Sequence, residues 1–178
     1  MLCITLFSCR VKENKTEFHK IIIDKELNSS LFSSTKFMRN PLTLKTESGY
    51  DNIPDSTQYI VKSNAIVNND SLRLMRFAEF KKINSDTLEL KIFETNPAYS
   101  QNLTIKIVDN KFKTEFDYRI SGPPIKPKIK RVKQELIVKS IPKRKGEMIF
   151  GTFYFKGICE SDCNAEIEIK GDFKAELK

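Results

Sequence analysis

The chain has no tryptophan and a single histidine, His19. A Ser-His-Asp or Cys-His mechanism would have to run through that one residue. A zinc site would have to join it to Cys159 and Cys163, far away in sequence. Glycine (6) and proline (7) are scarce in 178 residues, which excludes fibrous and low-complexity classes. There is no glycine-rich phosphate loop and no dinucleotide fingerprint. No stretch nears the ~20 apolar residues of a membrane-spanning helix. Acid is almost absent from one segment. Between Lys126 and Lys145 nine basic residues face the single acid Glu135. The other 22 basic and 22 acidic residues cancel, so the net charge of +8 belongs to that segment.

What is present suits pleated, half-buried surfaces: 13 Phe, with Ile, Thr and Val in plenty. The clearest pattern is at the C-terminus. Ala165, Ile167, Ile169, Gly171, Phe173, Ala175 and Leu177 alternate without a break with Glu166, Glu168, Lys170, Asp172, Lys174 and Glu176. Period two over that length predicts one strand with a buried face, bent if anywhere at Gly171. Residues 102–120 predict a hairpin. A two-residue turn at Asp109-Asn110 pairs Ile107 with Phe112 and Leu103 with Phe116, which puts both apolar sets on one face. Further strands are expected at 87–94, 134–141 and 147–158, and residues 58–67 read as extended. Residues 71–83 fit a helix behind Asp70 or a strand running into a turn at Asn84-Ser85-Asp86. Their neighbours favour strand. Residues 10–50 are weakly patterned. Short strands with turn residues between them predict an all-β fold, an antiparallel β-sandwich of immunoglobulin-like or jelly-roll-like type.

The first nine residues, Met-Leu-Cys-Ile-Thr-Leu-Phe-Ser-Cys, carry no charge. Arg10 opens an abrupt change to polar sequence. An apolar run that ends in cysteine and gives way to a polar tether resembles the signal of bacterial lipoproteins, with Leu6-Phe7-Ser8-Cys9 as the lipobox. The resemblance implies cleavage before Cys9, a thioether-linked diacylglycerol on its sulfur and an acyl chain on its new amine. It divides the chain into a signal (1–8), a tether (9–20) and one sandwich domain (21–178), anchored in the cell envelope on the periplasmic face or the outer-membrane surface.

Export bears on the second cysteine pair. In Cys159-Glu-Ser-Asp-Cys163 a short-loop disulfide is the simplest reading, closing the turn between the strands at 147–158 and 165–177. A redox pair has the wrong spacing, and a metal clip lacks two further ligands. No metal or cofactor is expected.

The basic segment alternates too. Lys126, Lys128 and Lys130 face one way, Ile125, Pro127 and Ile129 the other, with a change of register at Lys130-Arg131 as a bulge requires. With Arg131 and Lys133 these lysines form a candidate surface for anionic headgroups, polyanionic glycans or an acidic protein. The same row also reads as a charged edge strand guarded against aggregation. Nucleic acid is not expected, because no aromatic residue interleaves with the run. Asp55-Ser56-Thr57, Asp70-Ser71-Leu72 and Asp86-Thr87-Leu88 resemble an O-glycan acceptor pattern of some envelope proteins, and are also ordinary turn starts. The expected function is binding or structural support at a membrane, without catalysis. The alternatives are a toxin-immunity lipoprotein and a glycan-active enzyme using carboxylates.

Overall fold

The computed structural model describes residues 18–33, 36–39, 58–95, 99–120, 128–160 and 165–178, and structural statements below concern these. The alternating segments form strands, and the strands form two stacked sheets. The first sheet is a meander of β7 (Phe77–Lys82), β8 (Thr87–Thr95), β9 (Tyr99–Val108) and β10 (Lys111–Ile120), edged by the short β1 (His19–Lys20). The second runs β2 (Ile22–Ile23), β11 (Ile129–Val138), β12 (Met148–Cys159), β13 (Glu166–Glu176), β5 (Ala65–Val67) and β6 (Asp70–Met75). All pairings within both sheets are antiparallel except β2 with β11. A separate ribbon pairs β3 (Lys36–Arg39) with β4 (Gln58–Val61), and one short helix, α1 (Ser30–Ser33), completes the described elements. This is an all-β sandwich.

The β9–β10 hairpin has the register expected from sequence: Ile107 opposes Phe112 and Leu103 opposes Phe116. Asp109 and Asn110 both take positive φ (48° and 59°), the mirror-image turn whose twist matches the strands. β13 runs unbroken, with Ile167, Ile169, Phe173 and Ala175 buried. At Gly171 the backbone of β5 comes close, and an added Cβ would sit 2.5 Å from the Ala65 Cα. Residues 71–83 are strand, with a nuance. Residues 70–82 form two strands in different sheets, and the chain crosses between them at Arg76. Residues 58–67 likewise divide into β4 and β5. β11 begins five residues before the expected strand and stops at Val138.

One core joins the two sheets. Phe80, Phe112, Phe155 and Phe173 are fully buried in it, beside Leu90, Ile92, Leu103, Leu136, Ile149 and Ile169. Each such side chain contributes about 1.5–3 kcal/mol by leaving water. Both flanks of the sandwich are closed by sheet-switching segments. On one flank β6 passes into β7. On the other, residues 19–20 pair with β10, residues 22–23 pair with β11, and Ile21 between them is buried. The chain thus joins the sandwich at His19.

A basic, partly apolar surface at one end of β11

β11 decides where the positive charge goes. Its ten residues span about 30 Å at the usual strand rise. The basic segment is continuous in sequence but separates in space. Lys128, Lys130, Arg131 and Lys133 lie at the start of β11. Lys139, Lys143, Arg144 and Lys145 lie beyond its other end, in the loop to β12. There Glu147 accepts hydrogen bonds from the backbone N–H groups of Lys143 (2.8 Å) and Arg144 (3.1 Å), which hold its carboxyl below the usual range. Lys126 lies outside the described residues, as do Cys9 and Cys163.

At the first end, Lys128 and Lys130 are exposed, with side chains 84% and 57% accessible, and both reach toward Glu160, at 3.6 Å and 4.0 Å. The register shift falls between Arg131 and Lys133, one residue beyond the expected place. That bulge sorts the side chains. Arg131 turns toward the first sheet and donates to the Thr114 carbonyl at 3.2 Å. It is a strut between sheets, and not one of a row of exposed cations. Val132 and Lys133 both point outward, Lys133 over the Tyr154 ring at 5.2 Å. Val132, 53% accessible, is the most exposed of the large hydrophobic residues, and Ile158 on β12, opposite Lys130, is 43% accessible. Lys156 is held by Glu166 at 2.7 Å, a hydrogen bond that raises its pKa.

Sequence reasoning missed Val132 and Ile158. A signal existed. β12 carries Met148, Phe150, Tyr154 and Ile158 on its outward positions, so its alternation is incomplete. α1 covers part of that face: Phe32 packs edge-on against Phe150 with ring centroids 5.4 Å apart. Ser29 ties the same segment down through a 2.7 Å hydrogen bond to Asp172. Ile158 lies at the other end of the strand.

Cys159 ends β12, fully buried. His19 is exposed on β1, edge-on to Phe112. Asp86 and Thr87 sit in a tight turn in which both N–H groups donate to Asn84 Oδ1. Asp55-Ser56-Thr57 lies outside the described residues, as do the side chains of Ser71 and Leu72.

A second polar group was not foreseen. Glu94 lies on the inner face of β8, completely buried, with Arg76 Nε 3.1 Å from its Oε2. Burial raises its pKa, and the Arg76 guanidinium works against that rise. Its neighbour across the sheet is Gln101, also buried. Glu94 Oε1 and Gln101 Oε1 have no hydrogen-bond partner. This carboxylate is committed to fixing the corner at which the chain changes sheets. Among the described residues no cluster of three His, Cys, Asp or Glu is placed to hold a metal ion.

Neither a protein-family model nor a curated protein nor a solved structure matches this chain.

Proposed function

We propose that this protein is an envelope lipoprotein, tethered through Cys9, whose sandwich domain works by binding or supporting a partner and not by catalysis. The observation that carries the reading is the spacing of Cys9 from the domain. The described fold starts at Phe18, and Ile21 is already locked between the two sheets. Nine residue steps separate Cys9 from Phe18, a reach of about 30 Å at most. A lipid on Cys9 would hold the domain close to a bilayer without distorting it. The raised-pKa carboxylate Glu94 is engaged with Arg76 inside the core, which supports a structural use for it over an acid-base one.

The reading includes a Cys159–Cys163 disulfide. The Cys159 N–H donates to the Ala165 carbonyl at 3.0 Å, so the chain returns beside Cys159 two residues after Cys163. That pairing leaves Cys9 for the lipid. The test is fractionation of cells expressing the full chain. The protein is expected in the membrane fraction at high salt, and Cys9→Ala is expected to release it to the soluble fraction. A Cys9→Ala protein that stays with the membrane would remove the anchor from the account.

A further inference from the structure

We propose that the start of β11 is a membrane-docking face, on which exposed Lys128, Lys130 and Lys133 meet anionic phospholipid headgroups while Val132 and Ile158 enter the interface between them. The inference rests on the envelope reading for its setting and for the direction of the tether; the charges and exposed aliphatics of the face do not depend on a lipid on Cys9. Three observations converge on it.

The first is composition. Val132 and Ile158 are exposed aliphatics; the β11 bulge places Val132 outward beside Lys133, and Ile158 lies between Lys130 on β11 and Glu166 on β13. A bulge on an edge strand guards the edge equally well with a polar residue. An apolar residue there has a use where a low-dielectric surface is at hand, and lysines around it can stretch toward headgroups.

The second is direction. β1 pairs antiparallel with β10, His19 against Phe112, and β2 runs parallel to β11, Ile22 against Ile137. Traced upstream, both registers lead toward the start of β11. Phe18 lies beside Gln134 and Glu135. The chain therefore enters the domain from the side that carries Lys133 and Lys130. A tether to Cys9 therefore leaves the domain on the side of that end.

The third is sign. Lys128 and Lys130 share the carboxylate of Glu160, and Lys133 lies over the Tyr154 ring with exposed Glu135 two residues on, so three lysines meet two carboxylates and the excess is positive. A nearby lysine contributes about fivefold to partition onto an anionic leaflet at modest salt.

The experiment uses the full chain carrying Cys9→Ala, so that no lipid contributes. Its partition is measured onto vesicles of mixed phosphatidylglycerol and phosphatidylethanolamine, and onto phosphatidylcholine vesicles. Binding is expected only to the anionic vesicles, weakening as salt rises. Lys128→Glu/Lys130→Glu/Lys133→Glu is expected to lower it by at least about 100-fold, the loss of three lysine contributions alone. Val132→Ser/Ile158→Ser is expected to lower it severalfold with little change in salt dependence. The control is Lys143→Glu/Arg144→Glu/Lys145→Glu at the opposite end of β11, an identical charge change that is expected to leave binding nearly intact. Equal losses from the two triple variants would show binding by net charge and overturn the proposal. So would absence of binding to anionic vesicles, or selective capture of an acidic protein in their place. Because the anchor is removed throughout, this result is separate from whether Cys9 carries a lipid.

Discussion

Arg76 and Glu94 set the sharpest condition on a single residue. A carboxylate with no solvent contact is tolerated because a guanidinium lies 3.1 Å away. Taking one partner from a buried pair strands the other. Arg76→Leu is therefore expected to destabilise the fold by about 3 kcal/mol near neutral pH. The pH dependence has a definite sign. Desolvation raises Glu94's pKa, so the folded state takes up a proton more readily than the unfolded chain. Stability from this group is full at acid pH and fades as pH climbs from the ordinary carboxylate range through the raised value. Without Arg76 the pKa rises further, so the variant's deficit is expected to shrink on acidification toward about pH 5. Urea unfolding at both pH values measures it. A deficit of the same size at each would separate Arg76 from the titration of Glu94.

At the scale of elements, the exposed seam between β10 and β11 depends on Gln134. Its side chain is buried, accepts from the Thr114 N–H at 2.8 Å and donates to the Phe112 carbonyl at 3.4 Å. It thereby satisfies the Thr114 N–H, which lies beyond the register of the two-residue β1, and adds a donor to the carbonyl of Phe112, which β1 already pairs. Gln134→Leu keeps the volume but strands the Thr114 N–H, at an expected loss of about 1–3 kcal/mol. The urea midpoint reads this directly, and an unmoved midpoint would mean that Gln134 does not hold the seam. The contrast with β9–β10 shows what was legible in sequence. In that hairpin, alternation and turn chemistry are both local, so strands, turn and register could be read together. The Asn68-Asn69 turn between β5 and β6 uses the same backbone, with φ of 53° and 56°. It went unread because the strands around it are short and one is bulged. The crossing at Arg76 was hidden for another reason. Alternation continues through a residue that changes sheets, since periodicity records facing and not partnership. β1 and β2 were invisible because two-residue strands carry no period.

For the whole molecule, sequence gave the size of the positive charge and misjudged its shape. A run of twenty residues reads as one patch, yet a strand about 30 Å long divides it between two ends of the sandwich. The bulge then withdraws Arg131 inward and presents Val132 in its place. The candidate surface was thus half legible: its lysines follow from composition, and its apolar members depend on pairing between β11 and β12. The location of the protein remains tied to one residue, Cys9, nine steps before the first described position. Intact mass spectrometry of the chain extracted from membranes, without reductant, tests this most directly. The expected species begins at Cys9, carries the added mass of the diacylglycerol and acyl groups, and lacks two hydrogens for one internal disulfide. A chain that retains residues 1–8, or begins at an unmodified Cys9, would contradict the central claim.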